Sequence, residues 1–285
     1  MVGDTCMRSQ AAGVRRITVY RPSRAGYGWP MTTSSSLFDL SGRHALVTGG
    51  GTGLGRAFAL ALAGAGARVT LAARRSEPLE STAATIRAAG GRADCAALDV
   101  TDPARVGALF ASLDAPVDVL VNNAGAAADS MLLDIEEAAW EQVMDVNLKG
   151  AWLVARAAAR AMIDTGRGGS IINIASILGT AVQKGTQPYS AAKAALLHLT
   201  RGMALEWSRY GIRVNAIAPG YYHTDMAADF LDSDAGQRMV KRIPARRLGE
   251  PGELSGALLL LASDASSYMT GSVITVDGGL SLAVV

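Results

Sequence analysis

Three polar side chains, Ser176, Tyr189 and Lys193, have the types and spacing needed to move a proton to or from an oxygen atom. Lys193 follows Tyr189 by four residues in an alanine-rich helical pattern, so both side chains project from one face of the helix. A neighbouring ammonium group stabilises a phenolate, and we expect it to lower the pKa of Tyr189 from about 10. Such a phenol serves as general acid or base towards a carbonyl or alcohol oxygen. Ser176 follows the largely apolar run 171–175 and would hold the same oxygen in place.

A glycine-rich turn at residues 48–55 separates the apolar run 44–47 from an amphipathic helical pattern that begins at Arg56. A strand, a glycine turn and a helix in this order are the context of a dinucleotide-binding fingerprint. Glycines allow the backbone to approach a pyrophosphate, and the first N–H groups of the helix attract that anion. The alternative is a flexible turn without a ligand, which the flanking strand and helix patterns disfavour.

The Tyr-x-x-x-Lys spacing alone occurs often by chance, but here further motifs accompany it in order. They are Thr48-Gly49-Gly50-Gly51-Thr52-Gly53-Leu54-Gly55, Asp99, Asn122-Asn123-Ala124-Gly125, Asn147, and Pro219-Gly220 followed by Thr224. With these motifs the chain resembles the short-chain dehydrogenase/reductase family from about Leu40 to Gly279.

Strand-like and helical patterns alternate along the chain, which predicts an α/β fold with a parallel sheet covered by helices on both faces. The resemblance implies a doubly wound Rossmann fold with seven parallel strands in the order 3-2-1-4-5-6-7. The strand-like runs are 44–48, 68–73, 93–98, 117–121, 169–175, 212–218 and 272–276. The helical patterns are 54–65, 77–89, 103–112, 135–164, 189–210 and 251–262.

We expect residues 37–285 to form one domain, because no proline- or glycine-rich linker divides them. We expect residues 1–36 to be an N-terminal extension outside the fold. Its first 30 residues are arginine-rich, which is also typical of a transit peptide, but Met31 and the polar residues after it resemble an ordinary start. The stretch 221–247 breaks the alternation after a strand and is expected to be a mobile substrate lid or an additional packed helical pair.

The end of the second strand favours NADP(H) over NAD(H). Ala73 stands where family members that use the unphosphorylated cofactor usually carry Asp, and Arg74 is placed to pair with a 2′-phosphate. Two points speak against this assignment. Arginines after a strand are often merely solvated, and Thr52 is not the basic residue that some NADP-dependent members carry in the glycine turn.

The resemblance also implies the other cofactor contacts. Asp99 would accept from the adenine amino group, residues 123–125 would flank the nicotinamide ribose, and Lys193 would hydrogen-bond that ribose. Tyr222 and Thr224 would face the carboxamide and the pyrophosphate. The full expected set is Gly49, Thr52, Gly53, Leu54, Gly55, Arg74, Asp99, Val100, Asn123, Ala124, Gly125, Tyr189, Lys193, Pro219, Gly220, Tyr222 and Thr224.

The implied activity is an oxidoreductase that interconverts a carbonyl and a secondary alcohol by hydride exchange with a nicotinamide. Tyr189 would act as general acid and base, and Ser176 would polarise the reacting oxygen. Asn147 would interrupt its helix and hold a water that links Lys193 to solvent. A non-catalytic dinucleotide sensor is an alternative of another class, and the intact set of Asn147, Ser176, Tyr189 and Lys193 argues against it.

The small-molecule substrate stays open. The segments 126–130, 177–187 and 221–243 would line the pocket, and they mix apolar with polar groups. One similar branch is the gluconate 5-dehydrogenase type, which acts on a sugar acid or polyol and is suggested by Glu206-Trp207 and residues 219–222. The other is the 3-oxoacyl-carrier-protein reductase type, which needs a basic patch. Such a patch would contain Arg156, Arg160 and Arg209.

Composition and charge exclude several classes of protein. The net charge is only +2, and five arginines lie within residues 1–30, so the remainder offers no basic field for nucleic acid. A run of about 18 apolar residues, which a membrane helix would need, is missing from the sequence. Two distant cysteines and three scattered histidines predict neither a disulfide framework nor a metal site. We expect a cytoplasmic protein, and the resemblance implies a homotetramer that associates through helices 135–164 and 189–210.

Overall fold

The computed structural model describes residues 37–224 and 234–282. At its centre lies a seven-stranded sheet with the order β3-β2-β1-β4-β5-β6-β7, in which all neighbouring strands are parallel. The doubly wound α/β fold predicted from the sequence is therefore confirmed. The strands are β1 (His44–Thr48), β2 (Arg68–Ala73), β3 (Arg92–Ala97), β4 (Val119–Asn122), β5 (Gly169–Ile174), β6 (Ile212–Pro219) and β7 (Val273–Val276).

Helices connect the strands, and all of them except Asp234–Arg242 lie within a few residues of the predicted helical patterns. They are α1 (Gly53–Gly64), α2 (Ser76–Ala88), α3 (Pro103–Ser112), α4 (Glu137–Met144), α5 (Ala151–Thr165), α6 (Gln187–Trp207), α7 (Asp234–Arg242) and α8 (Ser255–Ala262). The predicted single helix 135–164 is divided, because a π-helical segment, Asp145–Gly150, joins α4 to α5. Helix α7 falls in the stretch expected to form a lid, and residues 225–233 of that stretch lie outside the described residues.

The core has two layers, one on each face of the sheet. Ala45 and Val47 of β1 face one layer, while Leu46 between them faces the other, because successive side chains of a strand point to opposite faces. Helices α1, α2 and α8 cover the first layer, and α3, α5 and α6 cover the second. Burial on both faces explains why central strands such as β1 and β4 read as nearly continuous apolar runs in the sequence. The loops that carry the polar motifs lie at the carboxyl edge of the sheet, outside both core layers.

Candidate active site

Ser176 and Tyr189 reach the carboxyl edge of the sheet from two consecutive elements. Ser176 lies two residues beyond β5, where its hydroxyl accepts a 3.1 Å hydrogen bond from the N–H of Leu178 and caps a short 3₁₀ turn. Tyr189 lies in the first turn of α6, and Pro188 beside it has a fixed φ that suits a helix start. The two side chains interact, and the hydrogen bond from the Ser176 hydroxyl lowers the pKa of the Tyr189 phenol.

The pKa of Tyr189 is raised, not lowered, which corrects the expectation from the sequence. Burial of the phenol is the main cause, since it disfavours the phenolate, and the hydrogen bond from Ser176 opposes it only in part. The Nζ atom of Lys193 lies 5.3 Å from the centre of the Tyr189 ring. The ammonium therefore faces the ring. Its charge does not lower the pKa of Tyr189 enough to offset the increase that burial causes.

Lys193 is a buried cation with a single hydrogen-bond partner among the described residues. Only 4% of the residue is exposed, and its Nζ donates a 2.9 Å hydrogen bond to the carbonyl oxygen of Ile174 at the end of β5. Burial lowers the pKa of Lys193 to about 8, since it disfavours the charged form. A lysine with this pKa exchanges its proton close to neutral pH.

Asn147 lies within the π-helical segment and points at the same region. Its Nδ2 donates to the carbonyl oxygens of Ala126, at 2.7 Å, and Val143, at 2.9 Å. Its Oδ1 is buried, and the described residues give it no hydrogen-bond donor. A Cβ at Gly125 would lie 2.9 Å from that Oδ1 and 3.9 Å from Nζ of Lys193. Because buried acceptors nearly always have a partner, this Oδ1 fits the expected water beside Lys193.

The glycine turn brings the backbone of the first strand and that of the following helix into close contact. Gly49 has a φ of +67°, and a Cβ at Gly55 would lie only 2.0 Å from the carbonyl oxygen of Gly49. The start of α1 therefore packs directly on the turn, at a distance that only glycine allows. Thr52 at the N-cap makes no side-chain cap, and the first turn of α1 contains no acidic residue. The first backbone N–H groups of α1 are therefore free to donate to an anion, which the positive end of the helix dipole would also attract.

Thr48, which the sequence motif marks only as the first residue of the turn, links the two central strands. Its Oγ1 accepts 3.0 Å hydrogen bonds from the N–H groups of Asn123 and Ala124. Asn123 in turn donates through Nδ2 to the carbonyl oxygens of Thr48 and Gly49. The loop after β4 is thereby fixed beside the glycine turn, in the crevice where ligands of doubly wound sheets bind. The sequence does contain a signal for this link: Thr48 carries a hydroxyl at the end of β1, and Asn123 carries an amide directly after β4.

The residues expected to read the adenosine end lie together at the ends of β2 and β3. Arg74 is the first residue after β2 and is exposed. Asp99 accepts hydrogen bonds at its Oδ1 from the Thr101 N–H and hydroxyl, and these bonds, together with the charge of Arg74, lower its pKa. Val100 is buried against Gly150 of the π segment. This corner therefore carries an anionic carboxylate and an accessible guanidinium.

The chain after β6 returns to the glycine turn. The N–H of Gly220 donates to the Val276 carbonyl, and the Tyr222 hydroxyl donates to the same oxygen at 2.8 Å. The Tyr222 side chain is thus used within the core, and a contact with a carboxamide would involve its backbone. Thr224 lies beside Gly53, where an added Cβ would be 3.5 Å from its methyl group. Of the predicted pair, Thr224 is the one whose side chain reaches the turn.

The part of the chain that the structure describes contains neither a candidate metal cluster nor a membrane-spanning helix. Residues 37–224 and 234–282 contain no cluster of three or more His, Cys, Asp or Glu side chains that would hold a metal ion. None of the helices described there has the length and apolar character needed to cross a membrane.

The motifs and the fold match known proteins over most of the chain. A family model described as Enoyl-(Acyl carrier protein) reductase matches residues 49–281. Gluconate 5-dehydrogenase of Gluconobacter oxydans (strain 621H) is 40% identical over 252 residues, which are 87% of this chain and 98% of that protein. The 3-oxoacyl-[acyl-carrier-protein] reductase FabG of Thermotoga maritima is 38% identical, over 85% of this chain and 98% of its own length.

A solved structure carries a cofactor of the expected kind. It is a gluconate 5-dehydrogenase from Burkholderia cenocepacia J2315 in complex with NADP and tartrate, 41% identical to this chain with a TM-score of 0.84. The alignment covers 88% of this chain and all of that one. The ordered motifs, the strand order and these similarities show that the chain belongs to the short-chain dehydrogenase/reductase family of oxidoreductases.

Proposed function

We propose that the protein interconverts a ketone and a secondary alcohol with NADP(H), using Tyr189 as general acid and base. The observation that carries this proposal is the proximity of three polar side chains at the carboxyl edge of the sheet. The Tyr189 phenol, the Ser176 hydroxyl and the buried ammonium of Lys193 lie together where β5 ends and α6 begins. A bound nicotinamide would supply or accept the hydride, and the protein would supply orientation and proton transfer.

The protein's own groups divide the proton chemistry between them. Tyr189 gives its proton to the oxygen of a ketone or takes one from an alcohol, while Ser176 holds that oxygen by a hydrogen bond. Because burial raises the pKa of Tyr189 even with Lys193 beside the ring, base action needs further positive charge, which an oxidised nicotinamide would supply. Lys193, with a pKa of about 8, renews the proton of Tyr189 through the water expected at Oδ1 of Asn147.

The preference for NADP(H) is supported by the corner formed by Ala73, Arg74 and Asp99. Arg74 has no hydrogen bond or ion pair to another described residue, so its guanidinium is available to a 2′-phosphate. Ala73 in place of an acidic residue removes the repulsion that such a phosphate would meet. NADP bound in the Burkholderia cenocepacia structure points the same way.

For the substrate we favour a sugar acid, a polyol or a small ketone. The gluconate 5-dehydrogenases of Gluconobacter oxydans and Burkholderia cenocepacia support this choice, and so does the tartrate bound in the latter, since tartrate carries vicinal hydroxyl groups. Reduction of a 3-oxoacyl carrier-protein thioester is the second candidate, on the strength of the Thermotoga maritima relative. Of the arginines expected to form its basic patch, Arg156 stacks on Trp152 and Arg209 on Tyr210, so both have partners within the chain.

We also propose that the protein assembles as a homotetramer through α5 and α6. Trp152, Ile163 and Leu205 expose large apolar surfaces on these two helices. Ile163 and Leu205 line a groove of about 590 Å³ with Trp207 and Tyr210. A second copy would bury these side chains. Light scattering tests the assembly, and a monomer would contradict it.

The activity is tested by following oxidation of NADPH and NADH with a panel of ketones. The panel contains keto-sugar acids, acetoacetyl thioesters, diketones and cyclic ketones. Turnover with NADPH and one substrate class supports the proposal and separates the two candidates. Saturable NADPH binding without turnover of any ketone would instead favour the non-catalytic sensor.

A further inference from the structure

A hydrogen-bonded pair, Tyr221 and Gln183, joins two loops next to the catalytic residues. The Tyr221 hydroxyl donates to the side-chain oxygen of Gln183. Tyr221 directly follows Gly220 beyond β6, and Gln183 lies between Ser176 and Tyr189, beyond β5. The pair therefore lies at the carboxyl edge of two neighbouring strands, where doubly wound sheets bind their ligands.

Both members of the pair are held by the surrounding structure. The backbone oxygen of Gln183 accepts hydrogen bonds from the side chains of Gln187, at 2.7 Å, and Thr186, at 3.1 Å. These bonds tie its loop to the first turn of α6, which also carries Tyr189. The Tyr221 ring packs on a small apolar cluster around the buried residues Ile243 and Leu248. Neither side chain needs to be ordered anew when a substrate binds.

The pair is also close to the reacting groups. Tyr221 is half-buried, and burial raises its pKa. Its charge would in turn raise the pKa of Tyr189. Gln183 lies on the segment that joins Ser176 to Tyr189, so it stands at the same edge of the sheet as the two side chains that would hold the reacting oxygen.

The chemistry of the pair is defined by the orientation of the Gln183 amide. A glutamine side chain offers one acceptor oxygen and an NH₂ group with two donors. Because the Tyr221 hydroxyl takes the oxygen, the NH₂ group is fixed on the other side of the amide. This NH₂ group donates no hydrogen bond within residues 37–224 and 234–282. It can therefore donate to an oxygen of a ligand.

We propose that Gln183 is a specificity-determining residue that binds a second substrate oxygen, on the carbon next to the reacting one, and that Tyr221 positions its amide. The preferred substrates are then α-hydroxyketones and the corresponding vicinal diols. This inference rests on the proposed ketone reductase activity. The Gln183 amide would select ketones that carry a neighbouring hydroxyl group, a distinction that the catalytic residues alone do not make.

The experiment compares 2-hydroxycyclohexanone with cyclohexanone, which differ by one hydroxyl group beside the carbonyl. A site built to hydrogen-bond a hydroxyl group discriminates against the analogue that lacks it, and we expect a preference in kcat/KM of about tenfold or more for the wild type. Gln183→Leu should reduce this preference at least severalfold, mainly through KM of the hydroxyketone. Tyr221→Phe should act in the same direction but less. Gln142→Leu, the same change at an exposed position of α4, is the matched control.

The outcomes separate the inference from the activity on which it rests. A preference that survives in Gln183→Leu overturns the inference and leaves the ketone reductase standing. An equal loss with both ketones does the same, since it indicates a structural role for Gln183. Turnover of neither ketone by the wild type also overturns the inference, and the wider ketone panel then decides separately whether the proposed activity stands.

Discussion

The Nζ atom of Lys193 donates a 2.9 Å hydrogen bond to the carbonyl oxygen of Ile174, two residues before Ser176. This bond ties helix α6, which carries Tyr189, to the end of the strand that delivers Ser176. The lysine thus has a structural role as well as an electrostatic one. Its removal should disturb the relative placement of the phenol and the hydroxyl, not only the charge beside them.

Tyr189→Phe should abolish most of the turnover and keep the cofactor bound. The change removes the only proposed proton donor to the reacting oxygen and leaves the aromatic ring in its buried place. General acid catalysis contributes about 10²–10⁴-fold, so kcat should fall by about that factor. NADPH affinity, measured by fluorescence titration, should change little. Tyr268→Phe, at a fully exposed tyrosine, is the control, and a Tyr189→Phe enzyme that keeps its kcat would disprove the role.

Lys193→Met should stabilise the fold near neutral pH while it removes activity. Burial lowers the pKa of Lys193 from 10.5 to about 8, so the folded chain binds this proton less tightly than the unfolded chain does. The resulting cost is full below pH 8 and disappears as the pH rises towards 10.5. The free energy of unfolding of the wild type should therefore rise over this range relative to that of the variant.

Urea unfolding at several pH values measures this difference. Lys149→Met is the matched control, because Lys149 is exposed and pairs only with Asp145 on the helix surface. A Lys193→Met variant that is less stable than the wild type at pH 7 would mean that the hydrogen bond to Ile174 outweighs the burial of the charge.

How far the sequence predicts this site is clear from individual residues. The four-residue spacing of Tyr189 and Lys193 fixes their common helix face, because helical periodicity is local. The strand order needed the family resemblance, since periodicity does not say which strands pair. The π segment around Asn147 has the composition of an ordinary helix and was expected only from the resemblance. The raised pKa of Tyr189 and the bond from Tyr222 to Val276 depend on tertiary burial and distant contacts, which no local pattern reveals.

His44 should make the fold sensitive to mild acid. Its ring is buried between the hydroxyl of Thr70, at 2.8 Å, and the carbonyl oxygen of Ala115, at 3.1 Å. Burial, the largest cause, lowers the pKa of His44 below its ordinary 6.5. The unfolded chain therefore takes up this proton first, and stability should be complete above pH 6.5 and fall as the pH drops towards the lowered pKa.

Thermal unfolding between about pH 7 and pH 5 checks this prediction, because the ordinary histidine pKa lies within that range. His44→Gln should lower the melting temperature at neutral pH but flatten its dependence on pH. His198→Gln, at an exposed histidine of α6, should leave the wild-type slope intact. A His44→Gln variant with the full wild-type slope would assign the acid sensitivity to other groups.

Arg74→Ala should weaken NADPH and leave NADH nearly unaffected. The guanidinium of Arg74 is exposed at the end of β2, and its proposed partner is the 2′-phosphate that only NADPH carries. A hydrogen-bonded charge pair is worth about 1.5–3 kcal/mol, so KM for NADPH should rise by roughly tenfold to a hundredfold. Ala73→Asp should lower kcat/KM with NADPH further, since its carboxylate would repel the phosphate, and should improve NADH. Arg75→Ala, at the next and equally exposed arginine, serves as the control. Equal effects of Arg74→Ala on both cofactors would contradict a phosphate contact and would place the arginine against the adenine ring that the two cofactors share.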